Sequence, residues 1–389
     1  MVNIVIVGLG YVGLANALFF NGHHNVVGYD VDDKKRALIR QNICPLSDAS
    51  LVDAFNKSLS TLNVVDNPET SYQTANIIII ATPTDYSTSN CGLDISSVES
   101  TIKDILKVNQ TAEIIIRSTL PLGTTDKFIE QFKFKRIAFI PEFLREGSAF
   151  SDTLRPDRLV IGACEEDQPL LKSLFLNSLG KACPIILTTP KEAEAIKLFA
   201  NSYLAMRIAF FNELDNLANA NGLNSNKLIE AIGLDSRIGN GYNNPSFGFS
   251  GYCLPKDIKQ LTHDFGEVPH VLLSSITKSN EERINYIVSL IMEKHPQVVG
   301  IYRLTMKAGS DNMRQAVISE VMKLLEKQNV NLIIYEPLIK ETHYQGHKVI
   351  NDLQVFIAQA SLIVANRSDD LIKSAKEKLF TRDIFHTDK

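Results

Sequence analysis

"GFSGYCLPKD" (248–257) holds a thiol and, four residues on, a carboxylate: a nucleophile and a group able to handle a proton. Cys253 stands among Gly248, Gly251 and Pro255, with Lys256 beside Asp257, in a glycine-rich stretch from 238 to 257 that reads as a loop. Three roles suit such a cysteine: reactive thiol, metal ligand, or small apolar filler. The metal role lacks partners. The five cysteines (Cys44, Cys91, Cys164, Cys183 and Cys253) form no CxxC pair, and His263, the nearest histidine, has no companion at ligand spacing.

Other polar groups accompany it. "PEFLREG" puts Glu142 and Glu146 after an apolar run, and "EAIKLFAN" puts Lys197 and Asn201 four apart, on one face of a helix. Each has an ordinary alternative: helical lysines are usually solvated, paired glutamates sit on wet faces, and free cysteines pack as hydrophobes. "GLGYVG" changes the balance. It sets Gly8, Gly10 and Gly13 in the G-x-G-x-x-G pattern after a β-branched run, with Asp30 ending the next run. That pattern cradles a dinucleotide pyrophosphate, and an acid at this spacing holds the ribose and favours NAD over NADP. Lys34 and Lys35 weaken that preference slightly. A tight turn followed by a capping acid is the plain alternative. Thr82, Thr84, Ser118 and Thr119 follow two further strand patterns, where a cofactor lies in open α/β sheets.

The elements needed to position these groups alternate. Strands are expected at "NIVIV", "NVVGYD", "ANIIIIATP", "AEIIIRST" and "KRIAFIPEF", with helical patterns between them, the first from about Leu14 to Asn21. Such alternation gives a parallel sheet. Lys191 to Asn221 contains neither Gly nor Pro, which predicts a helix about 46 Å long, a spine between domains or a dimerisation element. "QVVGIYRL", "NLIIYEP" and "SLIVANR" supply strands for a second α/β domain. The expected fold is α/β: two Rossmann-like parallel-sheet domains (1–190 and 295–389) joined by a long central helix in a middle region (191–294).

Composition excludes several function classes. With 44% hydrophobic residues, 22% charged and a net charge of −4, the chain has no basic patch for nucleic acid. Runs such as "IIIIA" are too short to span a bilayer, and "MVNIVIVGLG" lacks the features of a signal peptide. Odd, scattered cysteines fit free thiols in the cytoplasm.

Seven segments in order resemble the nucleotide-sugar dehydrogenases, the UDP-glucose/GDP-mannose dehydrogenase family, and most closely its UDP-glucose branch. They are "GLGYVGL", "ATPTDY", "STLPLGTT", "PEFLREG", "EAIKLFANSYLAMRIAFFNEL", "GYNNPSFGFSGYCLPKD" and "IYRLTMKAGSDNMR". The resemblance implies oxidation of UDP-glucose to UDP-glucuronate with two NAD+, through a thioester on Cys253. It assigns oxyanion stabilisation to Lys197 and Asn201, proton handling to Asp257 or Lys197, and thioester hydrolysis to Glu146 with Thr119. It implies NAD contacts from Gly8, Gly10, Tyr11, Val12, Gly13, Asp30, Lys35, Thr84, Thr119, Glu146 and Arg314. Substrate contacts would come from Glu142, Phe143, Leu144, Arg145, Glu146, Lys197 and Asn201, from Tyr242, Asn243, Asn244, Pro245, Ser246 and Gly251, and from Tyr302 and Lys307. It further implies a homodimer through the central helix, with Arg237 entering the partner's site. Ser250 departs from the family pattern, which has glycine there. Rival readings are a GDP-mannose or N-acetylated hexosamine substrate, a silent sugar-nucleotide binder, and a two-electron dehydrogenase in which Cys253 has no role.

Overall fold

The computed structural model describes the chain except for residues 58–61, 88, 90, 146, 180–182, 306–315 and 387–389. It divides into two compact units, Met1–Ala200 and Asn201–Lys389.

The first unit is built on β1 (Asn3–Val7), β2 (Asn25–Tyr29), β3 (Asn63–Val64), β4 (Ile77–Ile80), β7 (Glu113–Ile116), β8 (Ile137–Phe139), β9 (Leu159–Gly162) and β10 (Ile185–Thr188), while β5 (Tyr86–Ser87) and β6 (Gly92–Leu93) form a separate hairpin. The sheet order is β10-β9-β8-β7-β4-β1-β2-β3. Continuous apolar strands suit a sheet buried on both faces. Ile4 and Ile6 enter one core cluster while Val5 and Val7 enter another, and Ile77/Ile79 and Ile78/Ile80 divide in the same way. From β1 the chain builds one way through β2 and β3, then the other way through β4, β7 and β8. The crevice between β1 and β4 is thus the topological switch point, where open α/β sheets bind ligands. One departure from the expected parallel sheet is the β8–β9 pair, which is antiparallel, so β9 and β10 run against the other strands. An antiparallel edge on a parallel sheet is a common variant, and apolar runs carry no sign of strand direction.

The second unit carries β11 (Val298–Tyr302), β12 (Asn331–Tyr335), β13 (His343–Tyr344), β14 (His347–Val349), β15 (Leu362–Val364) and β16 (Leu379–Phe380), in the order β13-β14-β12-β11-β15-β16. All its pairs are parallel except β13–β14. Helices cover both faces, with Ile334 in one core cluster and Ile333 and Tyr335 in the other.

The long helix spans Pro190–Ala220, one residue earlier at each end than the sequence implies. Two further boundaries differ. The helix after β1 begins at Tyr11 rather than near Leu14, with Gly13 inside its first turn. The glycine-rich segment ends at Tyr252, because Cys253 opens a helix, Cys253–Asp264. Pro255 does not prevent this, since a proline in the first turn gives up an N–H that has no intrahelical partner.

Candidate active site

The turn after β1 separates its three glycines by cause. Gly8 has φ +87° and a Cβ there would lie 2.6 Å from the Ala81 carbonyl oxygen; a Cβ at Gly13 would lie 1.7 Å from the Gly8 oxygen. The protein's own packing therefore excludes side chains at both. A Cβ on Gly10 would meet nothing within 4 Å. Gly10 is the N-cap of the helix Tyr11–Asn21 and has no side chain of its own to cap it. Room beside the backbone at the start of a helix is what the approach of an anionic phosphate needs. At the end of β2, buried Asp30 accepts from the N–H of Leu9 (2.7 Å) and Asp32 (3.0 Å) and from Lys35 Nζ (2.9 Å). Burial opposes its charge, but hydrogen bonds from Asp32, Lys35 and Leu9 outweigh it and hold the carboxyl below its ordinary value. Lys35 is thereby engaged by Asp30 rather than left to face a 2′-phosphate. These residues fit an NAD-type dinucleotide. Tyr11 and Val12 are half-buried at the turn, and Thr84 is buried beyond β4. The Ser118 hydroxyl donates to the Thr82 carbonyl at 2.6 Å, linking the ends of β4 and β7.

Lys197 is buried, not solvated. Its Nζ donates to the Glu142 carbonyl at 2.6 Å, lies 3.6 Å from Glu142 Oε1, and sits 5.3 Å from the Phe143 ring centroid. Glu142 also accepts the Leu144 N–H at 2.8 Å. Arg145 is turned to Asp152 through Nε (3.1 Å) and Nη2 (2.7 Å). Glu146 lies outside the described residues.

In the second unit Cys253 is half-buried and opens its helix, so a thiolate there would meet the positive end of the helix dipole. One turn on, Asp257 is fully buried, accepting from Asn201 Nδ2 (2.5 Å) on one oxygen and from Lys256 Nζ (2.8 Å) on the other. Lys256 is itself buried, with Nζ 5.1 Å from the Tyr252 ring centroid. A buried carboxylate with both oxygens held has one orientation.

Three matched regions cover the chain. Residues 2–177 match the NAD binding domain of the UDP-glucose/GDP-mannose dehydrogenase family, 191–282 its central domain and 300–387 its UDP binding domain. The chain belongs to this family. Similar proteins include the UDP-glucose 6-dehydrogenase of Campylobacter jejuni (46% identical, 99% of this chain and 99% of that one) and of Streptococcus pneumoniae (40%, 98% and 99%). A solved UDP-glucose dehydrogenase from the archaeon Pyrobaculum islandicum is 27% identical with a TM-score of 0.86, covering 94% of this chain and 90% of that one. The protein is thus an NAD-dependent oxidoreductase of the UDP-glucose/GDP-mannose dehydrogenase family.

Several family-implied residues turn out to be tied within the protein. Asn244 donates to Asp383 Oδ1 (2.8 Å) and accepts from the Ile384 N–H (3.1 Å); the Pro245 carbonyl takes Arg367 Nη1 (2.8 Å). Ser246 takes its N–H to Asn212 (2.9 Å) and its carbonyl to Arg283 Nε (2.9 Å). These bonds hold the 242–246 loop in shape; at its start Tyr242 is exposed and half-buried Asn243 donates to Asn240 Oδ1 at 3.3 Å. Tyr302 is buried, stacked on Tyr335 at 5.5 Å, with its hydroxyl donating to Asp369 at 2.7 Å. Arg237 is exposed and pairs with Asp235 two residues away. Lys307 and Arg314 lie outside the described residues. At Ser250, where the family pattern has glycine, the side-chain Oγ accepts the Val317 N–H at 3.1 Å and so caps the start of the helix Val317–Lys327.

Sequence reasoning missed buried charges near these groups. Asp215 lies between Arg283 (2.7 Å) and Arg382 (Nε 2.9 Å), near the loop's anchors. Arg117, just past β7, is pulled to about 10 by burial, with Glu142 opposing, and its Nε and Nη1 find no hydrogen-bond partner among the described residues. Glu194 caps a helix from a distance. Its only sequence signal is that it lies three residues before Lys197, on the same helix face.

Proposed function

We propose that the protein oxidises UDP-glucose to UDP-glucuronate, using two NAD+ and one water, through a covalent intermediate on Cys253. The observation that carries this reading is the buried Asp257, held by Asn201 and Lys256 one helical turn from Cys253. A two-electron dehydrogenase has no use for a thiol at that place.

The nicotinamide cofactor, when bound, supplies an acceptor for one hydride at each oxidation. Lys197, or a water held by Asp257, takes the proton of the C6 hydroxyl as the alcohol becomes an aldehyde. The Cys253 thiolate then adds to the carbonyl carbon, forming a C–S bond and an oxyanion that Lys197 and Asn201 stabilise. Loss of the second hydride from that carbon leaves the thioester. Water attacks it, with Glu146 as base and Thr119 positioning the water; the C–S bond breaks and the thiolate is regenerated. Per sugar, the alcohol, two NAD+ and one water give the carboxylate, two NADH and three protons. Removing one oxyanion donor, as in Lys197→Ala, raises the barrier by about 2.7–4 kcal/mol.

The 242–246 loop holds the sugar nucleotide, with Tyr302, Lys307 and Arg314 serving the C-terminal part of the site. The three expected parts, 1–190, 191–294 and 295–389, divide the work as cofactor, catalytic and UDP-binding regions, in line with the family matches. A homodimer forms along the long helix, whose exposed Phe199, Tyr203, Phe210 and Leu217 recur at spacings of four and seven and make one apolar stripe. Arg237 reaches the partner's site from that dimer. No helix among the described residues is long and apolar enough to cross a membrane, and cysteines held outside disulfides fit the cytoplasm.

Cys253→Ser tests the intermediate. Incubated with UDP-glucose and NAD+, it should release some NADH and retain an ester visible as added protein mass, while Cys253→Ala shows no net turnover. Full steady-state activity in Cys253→Ala would remove the nucleophile assignment.

A further inference from the structure

We propose that Glu194 is a positioning residue for the reaction: it fixes the segment bearing Thr119 to the helix that bears Lys197. This role rests on the function proposed above. Glu194 is completely buried, and its carboxylate accepts three hydrogen bonds from one neighbouring element. Its Oε2 takes the Gly123 N–H at 2.5 Å, and its Oε1 takes the Thr125 N–H at 2.8 Å and the Thr125 hydroxyl at 2.7 Å. Gly123 stands at φ +79°, a left-handed position that glycine fills without strain, immediately before the helix Thr124–Phe132. That helix has no side-chain cap from Gly123, so Glu194 supplies the missing acceptor from another helix.

A helix cap alone would need only a local serine or aspartate. The distant carboxylate does more because of what lies on either side. Four residues before Gly123 is Thr119, and the stretch between is short and pinned. Ser118 donates to the Thr82 carbonyl at 2.6 Å, Leu120 is fully buried, and the Thr124 N–H returns to the Pro121 carbonyl at 3.2 Å. On its own helix Glu194 precedes Lys197 by three residues and Asn201 by seven, so the three occupy one face. Glu194 therefore sets the distance between a hydroxyl proposed to place water and an amine proposed to hold an oxyanion. Burial pushes the carboxyl up to about 7, against the hydrogen bonds from Thr125 and Gly123 that favour the anion. Keeping a carboxylate in such a place costs stability.

The test is a double-mutant cycle on the full-length enzyme, read as steady-state NADH formation with UDP-glucose and NAD+. Glu194→Gln keeps the shape but turns an amide donor toward Thr125 or Gly123. The expected result is a kcat lower by about tenfold, equivalent to about 1.4 kcal/mol, with KM for both substrates within twofold. In a Thr119→Ala background the same substitution should cost nothing further, since the residue acts through Thr119. Glu194→Asp, one methylene shorter but still anionic, should recover part of the loss. An unchanged kcat, or the same tenfold loss with and without Thr119, overturns the proposal. Should Glu194→Gln fail to fold, Thr125→Val decides. A kcat drop of about threefold confined to the Thr119 background supports the role, and no drop overturns it. If the wild-type enzyme does not oxidise UDP-glucose at all, the functional reading fails instead, which is a separate outcome.

Discussion

The turn after β1 and the segment around Cys253 are both glycine-rich, yet they are built by different means. In the first, backbone does the work. Gly8 and Gly13 are imposed by contacts with the Ala81 and Gly8 oxygens, and Gly10 leaves open space beside the backbone. In the second, side chains do the work: Asp257 is fixed by Asn201 from another helix and by Lys256 beside it, both buried. Even the loop leading to it is held by Asn212, Arg283, Arg367 and Asp383. A site made of backbone is written in six consecutive residues. A site made of buried polar side chains is written across the chain.

Conservative changes should therefore act very differently in the two places. The largest effect is expected for Asp257→Asn. It removes an anion from buried Lys256 and turns an amide donor toward Asn201 or Lys256, so unfolding free energy should fall by about 3–5 kcal/mol. Turnover should fall by about 10²–10⁴-fold as well. Chemical denaturation and NADH formation measure the two; a variant as stable and active as wild type would show that the network is dispensable.

In the backbone-built turn the position of the added methyl should matter more than its chemistry. Gly13→Ala, at 1.7 Å from the Gly8 oxygen, should destabilise by about 3 kcal/mol or more. Gly10→Ala should leave stability within about 0.5 kcal/mol yet raise KM for NAD about tenfold. Equal effects at the two glycines, in melting and in NAD titration, would erase the distinction drawn between packing and ligand approach.

The smallest effect is expected at Ser250. Ser250→Gly removes the acceptor for the Val317 N–H, which should cost about 1 kcal/mol of stability without changing the NADH yield. A stability gain on making this change would show that the hydrogen bond is not what keeps serine there.

The same contrast explains what was legible in the sequence. Eight apolar runs became strands, because a sheet buried on both faces needs continuous Val and Ile. The long helix was legible because 190–220 lacks internal breakers. Two- and three-residue strands such as β13 and β14 carry no periodicity to read, and the reversal at β9 leaves no mark in composition. Cys253 reads as a loop residue because glycines and a proline surround it, although Pro255 falls where a helix tolerates it. Lys256 drawn inward pairs with its immediate neighbour in the chain. The bonds from Gly123 and Thr125 to Glu194 span 71 and 69 positions, and those from Arg283 and Arg382 to Asp215 span 68 and 167. Apart from the first, no local pattern could announce them.

The central claim is that Cys253 carries the sugar between two oxidations. It is tested most directly by counting NADH formed per UDP-glucose consumed by the purified enzyme with limiting sugar nucleotide. Two NADH are expected for each UDP-glucuronate, with no free aldehyde accumulating. One NADH for each sugar, with an aldehyde product, would contradict the claim.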